Sequence, residues 1–142
     1  MNIQFIIADE FRPEASGKVT SIGVYPGNYI ILLKPQQGTP DTVLPMLERV
    51  AFLITISELE GSHNYSGKIL DPNGNSVIDP KSNHIKEGVQ PFGEGITIGE
   101  GMSHSFVFEL KPFFIKTIGR YKFILYVDDT PHEFTFDIRK QP

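Results

Sequence analysis

The chain has 142 residues, a formal net charge of -4, 39% hydrophobic and 21% charged residues, and neither cysteine nor tryptophan. That length suits one domain, residues 1–142, with a core of its own, and the missing cysteine removes disulfides, thiolate nucleophiles and cysteine-rich zinc sites together. Lys and Arg are scattered singly, which gives no footprint for a nucleic-acid backbone, and no run approaches the ~20 apolar residues of a membrane span.

The opening "MNIQFIIADEF" holds four consecutive apolar residues, Phe5 to Ala8, before Asp9 and Glu10 interrupt. That is too short for a secretory signal and lacks its basic start. A soluble, cytoplasmic protein with no membrane or nucleic-acid partner is expected. Thirteen glycines and eleven prolines then divide the chain into short β-prone runs. No stretch keeps apolar residues at the helical spacing.

The predicted strands are Ile3–Ala8, Lys18–Tyr25, Tyr29–Leu33, Arg49–Ser57, Tyr65–Leu70, Ser76–Asp79, Ser103–Leu110, Arg120–Val127 and His132–Arg139. Turn residues separate most of them. In "NYIILLK" both faces are apolar, with Tyr29, Ile31 and Leu33 on one and Ile30 and Leu32 on the other. A sandwich strand buries one face, so Ile30 and Leu32 are expected in a symmetric homodimer contact, or under the Pro- and Gly-rich segment from Asp79 to Met102. That segment reads as a connection with at most one short strand around Ile96–Ile98. "RVAFLITIS" puts Val50, Phe52, Ile54 and Ile56 on a buried face.

Near the end, "SHSFVFEL" and "RYKFILYVDDTPHEFTFDIRK" alternate with period two and predict three successive antiparallel strands. With Asp129-Thr130 as a two-residue loop, Leu125 falls opposite Phe134 and Phe123 opposite Phe136. The link "KPFFIKTIG" has Phe113, Phe114 and Ile115 consecutively, so at least one of them, with Phe114 singled out, plugs the sandwich end or reaches a partner. About seven to nine short strands with these turns close as an all-β antiparallel sandwich with little helix.

Gly17-Lys18 raises the question of a phosphate loop. Such a loop needs glycine five positions earlier and a hydroxyl residue next, where Arg12 and Val19 stand. The alternation of "KVTSIGVYP" is that of a strand, so Gly17 is expected to turn the chain between the first two strands. Asp9, Glu10, Arg12, Glu14 and Lys18 gather around that turn as a polar end site or, more simply, an ion-pair network holding a loop.

"DPNGNSVID" sets Asp71, Asn73, Asn75 and Asp79 at a spacing similar to calcium loops, but Ser76 and Ser82 stand where an EF-hand needs Gly and Glu. Asp-Pro-Asn-Gly is also an ordinary turn, and a hairpin is favoured. Of His63, His84, His104 and His132, the pair His104 and His132 is expected at the same end of one sheet, about 9.6 Å apart and without a third ligand. No nucleophile elbow is present, and Ser62 and His63 as strand neighbours point to opposite faces. No catalytic residue, metal ligand or cofactor is expected.

"ADEFRPEASGKVTSIGVYPG" carries Asp9, Arg12, Glu14, Gly17-Lys18 and Ile22-Gly23-Val24-Tyr25. It resembles the N-terminal signature of a family of small uncharacterised bacterial proteins, a domain of unknown function. The similarity extends through "LPML" (Leu44–Leu47), "DPNGN" (Asp71–Asn75) and "GRYKFILYVDD", and so covers most of the chain. The resemblance implies a compact β-sandwich, immunoglobulin-like or C2-like, and assigns no catalytic residue. The function expected is a non-enzymatic protein-binding or assembly module. The alternative is a module that binds calcium or a small polar molecule in its end loops.

Overall fold

The computed structural model describes residues 1–33, 38, 46–78 and 89–142. Its strands are β1 (Asn2–Pro13), β2 (Val19–Val24), β3 (Tyr29–Leu32), β4 (Met46–Leu47), β5 (Val50–Ser57), β6 (Gly61–Leu70), β7 (Gln90–Ile98), β8 (Ser103–Leu110), β9 (Phe113–Phe114), β10 (Gly119–Val127) and β11 (Thr130–Lys140). A short turn at Pro26–Asn28 is the only helical element among the described residues. The strands form a four-stranded sheet in the order β2-β1-β5-β8, a five-stranded sheet in the order β3-β11-β10-β6-β7, and the small pair β4-β9. The expected all-β sandwich is what the chain folds into, with two short strands and β7 beyond those anticipated.

The two large sheets share one core because each contributes an alternating apolar face. Val50, Phe52, Ile54 and Ile56 of β5 are fully buried against Tyr121, Phe123 and Leu125 of β10 and Phe136 and Ile138 of β11. Taken in chain order, β1, β5 and β8 hold the A, B and E places of an immunoglobulin-type sandwich, and β6, β10 and β11 hold C, F and G. Where that architecture carries a disulfide between strands B and F, Phe52 and Phe123 meet with ring centroids 5.4 Å apart. Two residues before Phe123, the Tyr121 hydroxyl donates to the Thr117 carbonyl oxygen. This is the tyrosine corner of such sandwiches.

The terminal hairpin keeps the expected parity but sits two residues away in register. Phe123 faces Phe134 and Tyr121 faces Phe136, with Val127 opposite Thr130. The loop is Asp128-Asp129, not Asp129-Thr130, because both aspartates take positive φ, 47° and 71°, as a two-residue hairpin turn of this hand requires. The expected run of three successive strands is corrected more deeply. β8 pairs with β5, and the chain crosses to the other sheet before β10 begins. His104 and His132 therefore lie on different sheets.

Ile30 and Leu32 are also corrected. β3 runs parallel to β11 with Ile30 beside Ile138 and Leu32 beside Lys140, and this register turns both into the core at 1% and 4% exposure. Tyr29, Ile31 and Leu33 are the exposed side. Neither a dimer contact nor a covering segment is needed for Ile30 and Leu32. At the link after β8, Phe113 is the plug, packed edge-on against Tyr121, while Phe114 faces outward at 63% exposure. Pairing of β9 with β4 fixes this, since Leu47 opposes Phe113 and Met46 opposes Phe114.

β7 occupies what read as a loop. Its pairing with β6 shifts register on either side of Tyr65, and these bulges absorb Pro91 and the glycines that argued against a strand. Phe92 reaches the core over Gly67, where a Cβ would stand 2.6 Å from the Phe92 ring. Residues 79–88, including His84, lie outside the described residues, and of the predicted Ser76–Asp79 strand the three described residues, Ser76 to Ile78, form no strand. Ser76 itself makes a single bridge to Leu70.

If the Phe52 and Phe123 rings carry the inter-sheet contact, Phe123→Ala will lower unfolding stability by about 3–5 kcal/mol, the usual cost of truncating a buried aromatic. Phe114→Ser will change it by less than about 0.5 kcal/mol. Urea midpoints of the two variants measure both.

Candidate functional site

A cleft of about 470 Å³ lies at one end of the four-stranded sheet, lined by Asp9, Glu10, Ile22, Tyr25, Leu47, Glu48, Arg49 and Lys111. β1 supplies Asp9 and Glu10, and β2 and the residue after it supply Ile22 and Tyr25. The turn into β5 supplies Glu48 and Arg49. Lys111 follows β8. The Tyr25 hydroxyl donates to Asp9 Oδ1 at 2.6 Å, and burial, reinforced by this bond, pushes the phenol well above its ordinary value. It stays protonated and remains a donor.

Gly23 makes room for this arrangement. Its φ is +68°, and a Cβ there would stand 2.3 Å from Asp9 Oδ2. The Asp9 carboxylate is thus pressed against the backbone of β2, a position that only glycine permits. Glu10 takes Arg12 Nε at 3.0 Å and Arg49 Nη1 at 2.9 Å. The Arg12 guanidinium, with a smaller part from Arg49, holds the Glu10 carboxyl below its usual range. Arg49 also lies 3.9 Å from Glu109.

The polar residues anticipated around the first turn are therefore only partly brought together. Asp9 and Glu10 line the cleft, and Arg12 reaches it through Glu10. Glu14 instead accepts from the Thr20 hydroxyl, and Lys18 stands at the hairpin tip. Gly17, at φ +82°, donates its N–H to the Glu14 carbonyl and turns the chain from β1 into β2 as expected. Tyr25, Glu48, Arg49 and Lys111 escaped the sequence reading because they come from three separate places in the chain. The one local signal was Arg49, a charge set immediately before a buried strand.

At the opposite end, the start of β6 is clamped to the turn of the β10-β11 hairpin. His63 Nδ1–H donates to Asp128 Oδ2, and His63 Nε2–H donates to the Glu60 carbonyl oxygen at 2.7 Å. Asp128 Oδ1 accepts from the Asn64 N–H at 2.8 Å, and Asn64 Oδ1 accepts from the Gly95 N–H at 2.7 Å in β7. Both imidazole nitrogens face acceptors, so the clamp holds the imidazolium. A general base needs one of them free. Asp128, then the Glu60 carbonyl, raise the His63 ring above ordinary histidine, while the Asn64 N–H, then His63, lower Asp128.

At Asp71–Asn75 the turn reading holds. Asp71 Oδ1 accepts from the backbone N–H groups of Asn73 and Asn75, each at 2.9 Å, and Gly74 takes φ +84°. Asp79 lies outside the described residues. Among the described residues, no group of three or more His, Asp or Glu side chains is placed to hold a metal. No helix there is long and apolar enough to cross a membrane. Compared with known proteins, the chain matches no family model and no curated protein.

The clamp has a pH signature. A histidine whose folded-state pKa is raised contributes stability that is complete below its unfolded value and is lost as pH rises through the folded one. The lowered Asp128 contributes stability that is lost as pH falls through its folded pKa. Stability of the wild type is expected to decline on both sides of the window between them. His63→Gln will flatten the alkaline decline and Asp128→Asn the acidic one, as read from urea midpoints across a pH series.

Proposed function

We propose that the chain is a non-enzymatic, cytoplasmic protein-binding module of the bacterial family its signature resembles, and that it takes a partner's extended segment on the open edge of β2. The observation that carries this is the state of that edge. β2 is the outermost strand of its sheet, its six residues include no charge, and all but Val19 are exposed. Ile22 and Val24 stand at 37% and 48% exposure.

Folded proteins guard their edge strands with charge, proline, bulges or cover. β7 has Pro91 and two register shifts, and it lies alongside β8, which closes that side of the sandwich. β2 has one irregular residue, Gly23, at its end and no guard before it. Strand addition to an open edge draws affinity from main-chain hydrogen bonds and selectivity from pockets beside the edge. The cleft, with Ile22 in its wall, supplies such a pocket.

A second reading, carried by the cleft alone, is a small polar molecule bearing both charges, held by Asp9, Arg49 and Lys111. A photo-crosslinking residue separates the two. Placed at Ser21 it is expected to capture a discrete protein species in native cell extract, a capture lost with Thr20→Lys, whereas placement at Asn73 captures none. Equal labelling from both positions would refute strand addition.

A further inference from the structure

Resting on that reading, we infer that the segment received by β2 is β2 of a second copy of this chain, so that two four-stranded sheets continue into each other across a two-fold axis. The charges of the edge point to this partner. Val19–Val24 carries no ionisable side chain, so antiparallel self-pairing sets no like charges against each other, which otherwise destabilises cross-strand pairs.

Just outside the strand the charges are opposite and unmatched. Lys18 precedes β2, and Asp9 lies against Gly23 near its end. Among the described residues neither has an ion-pair partner. Within one chain they are kept apart by the strand itself, since five residues at ~3.3 Å each separate Lys18 from Gly23 by roughly 16 Å.

A two-fold axis normal to the sheet requires some residue of the strand to face its own copy. With Ser21, the centre of Val19–Gly23, on the axis, Thr20 faces Ile22, Val19 faces Gly23 and Lys18 faces Val24 of the second copy. The ammonium of Lys18 then arrives beside the Asp9 carboxylate held against Gly23 in that copy. Symmetry makes the contact twice. The same pairing draws Ile22 and Val24 of both copies out of water. This surface is distinct from Ile30 and Leu32, which the core already uses.

Purified protein alone tests the inference. Light scattering is expected to give a dimer that weakens with salt, and Lys18→Glu is expected to raise its dissociation constant at least ~10-fold while leaving the urea midpoint of the monomer unchanged. The chain has no cysteine, so Ser21→Cys introduces the sole thiol. In an antiparallel pair, directly opposed residues lie about 4.5–5.5 Å apart at Cα, within the ~4.4–6.8 Å that a disulfide spans. Mild oxidation should link Ser21→Cys far faster than Asn73→Cys on the remote turn. A monomeric wild type, or a dimer in which Ser21→Cys links no faster than Asn73→Cys, overturns the inference. Capture through Ser21 in extract would then leave strand addition standing with a different partner.

Discussion

The packing of Phe123 is the constraint on which the rest of the sandwich depends. Its ring meets Phe5 at 5.3 Å, Phe52 at 5.4 Å and Phe108 at 5.9 Å, all from the opposite sheet, and Phe92 at 6.1 Å from its own. Each such pair is worth about 0.5–1.5 kcal/mol beyond the area it buries. In immunoglobulin-type sandwiches a covalent bridge at this place restricts the unfolded chain whatever the fine packing. An aromatic junction acts only in the folded state, and only while the register of every contributing strand is held. The tyrosine corner at Tyr121, the Phe113 plug and the hairpin turn at Asp128-Asp129 each fix a strand that delivers a ring to it.

That dependence explains why the chain spends so many local devices on register. β6 must present Gly67 beneath Phe92, and the bulges of β7 set Phe92 above it. The His63, Asn64 and Asp128 clamp ties the start of β6, the hairpin turn and β7 together within a few residues. An extra residue in one strand can be tolerated when a side chain satisfies the backbone group it frees. Asn64 does this for Gly95. The clamp is thus a structural element of the junction, and its two occupied imidazole nitrogens suit that work and not proton transfer.

Much of this was legible in the sequence wherever one face of a strand is apolar and the other polar. β5, β8, β10 and β11 announce their inward side by alternation alone. β3 does not, because Tyr29, Ile31 and Leu33 are as apolar as Ile30 and Leu32, and its side is set by the parallel register with Ile138. β7 was hidden by Pro91, Gly93 and Gly95, residues that mark loops except where bulges accommodate them. Alternation also carries no information on which sheet receives a strand, so it suits β8 beside β10 as well as beside β5, where it lies. At the cleft, the acidic half was readable near the first turn, but Tyr25, Arg49 and Lys111 meet it only through the fold.

The end of β2 is where local preferences and the global fold disagree, and such places are informative. A left-handed glycine stands in the path of a strand, a carboxylate is pressed upon it, and two branched apolar side chains stand exposed beside it. Stability of the core explains none of these, since β2 adds no buried residue to the inter-sheet cluster. A charge or proline at Ser21 or Ile22 would be the usual guard of such an edge. The strand has neither. What the arrangement leaves is an uncharged, accessible backbone edge with a carboxylate held at one end and a lysine at the other.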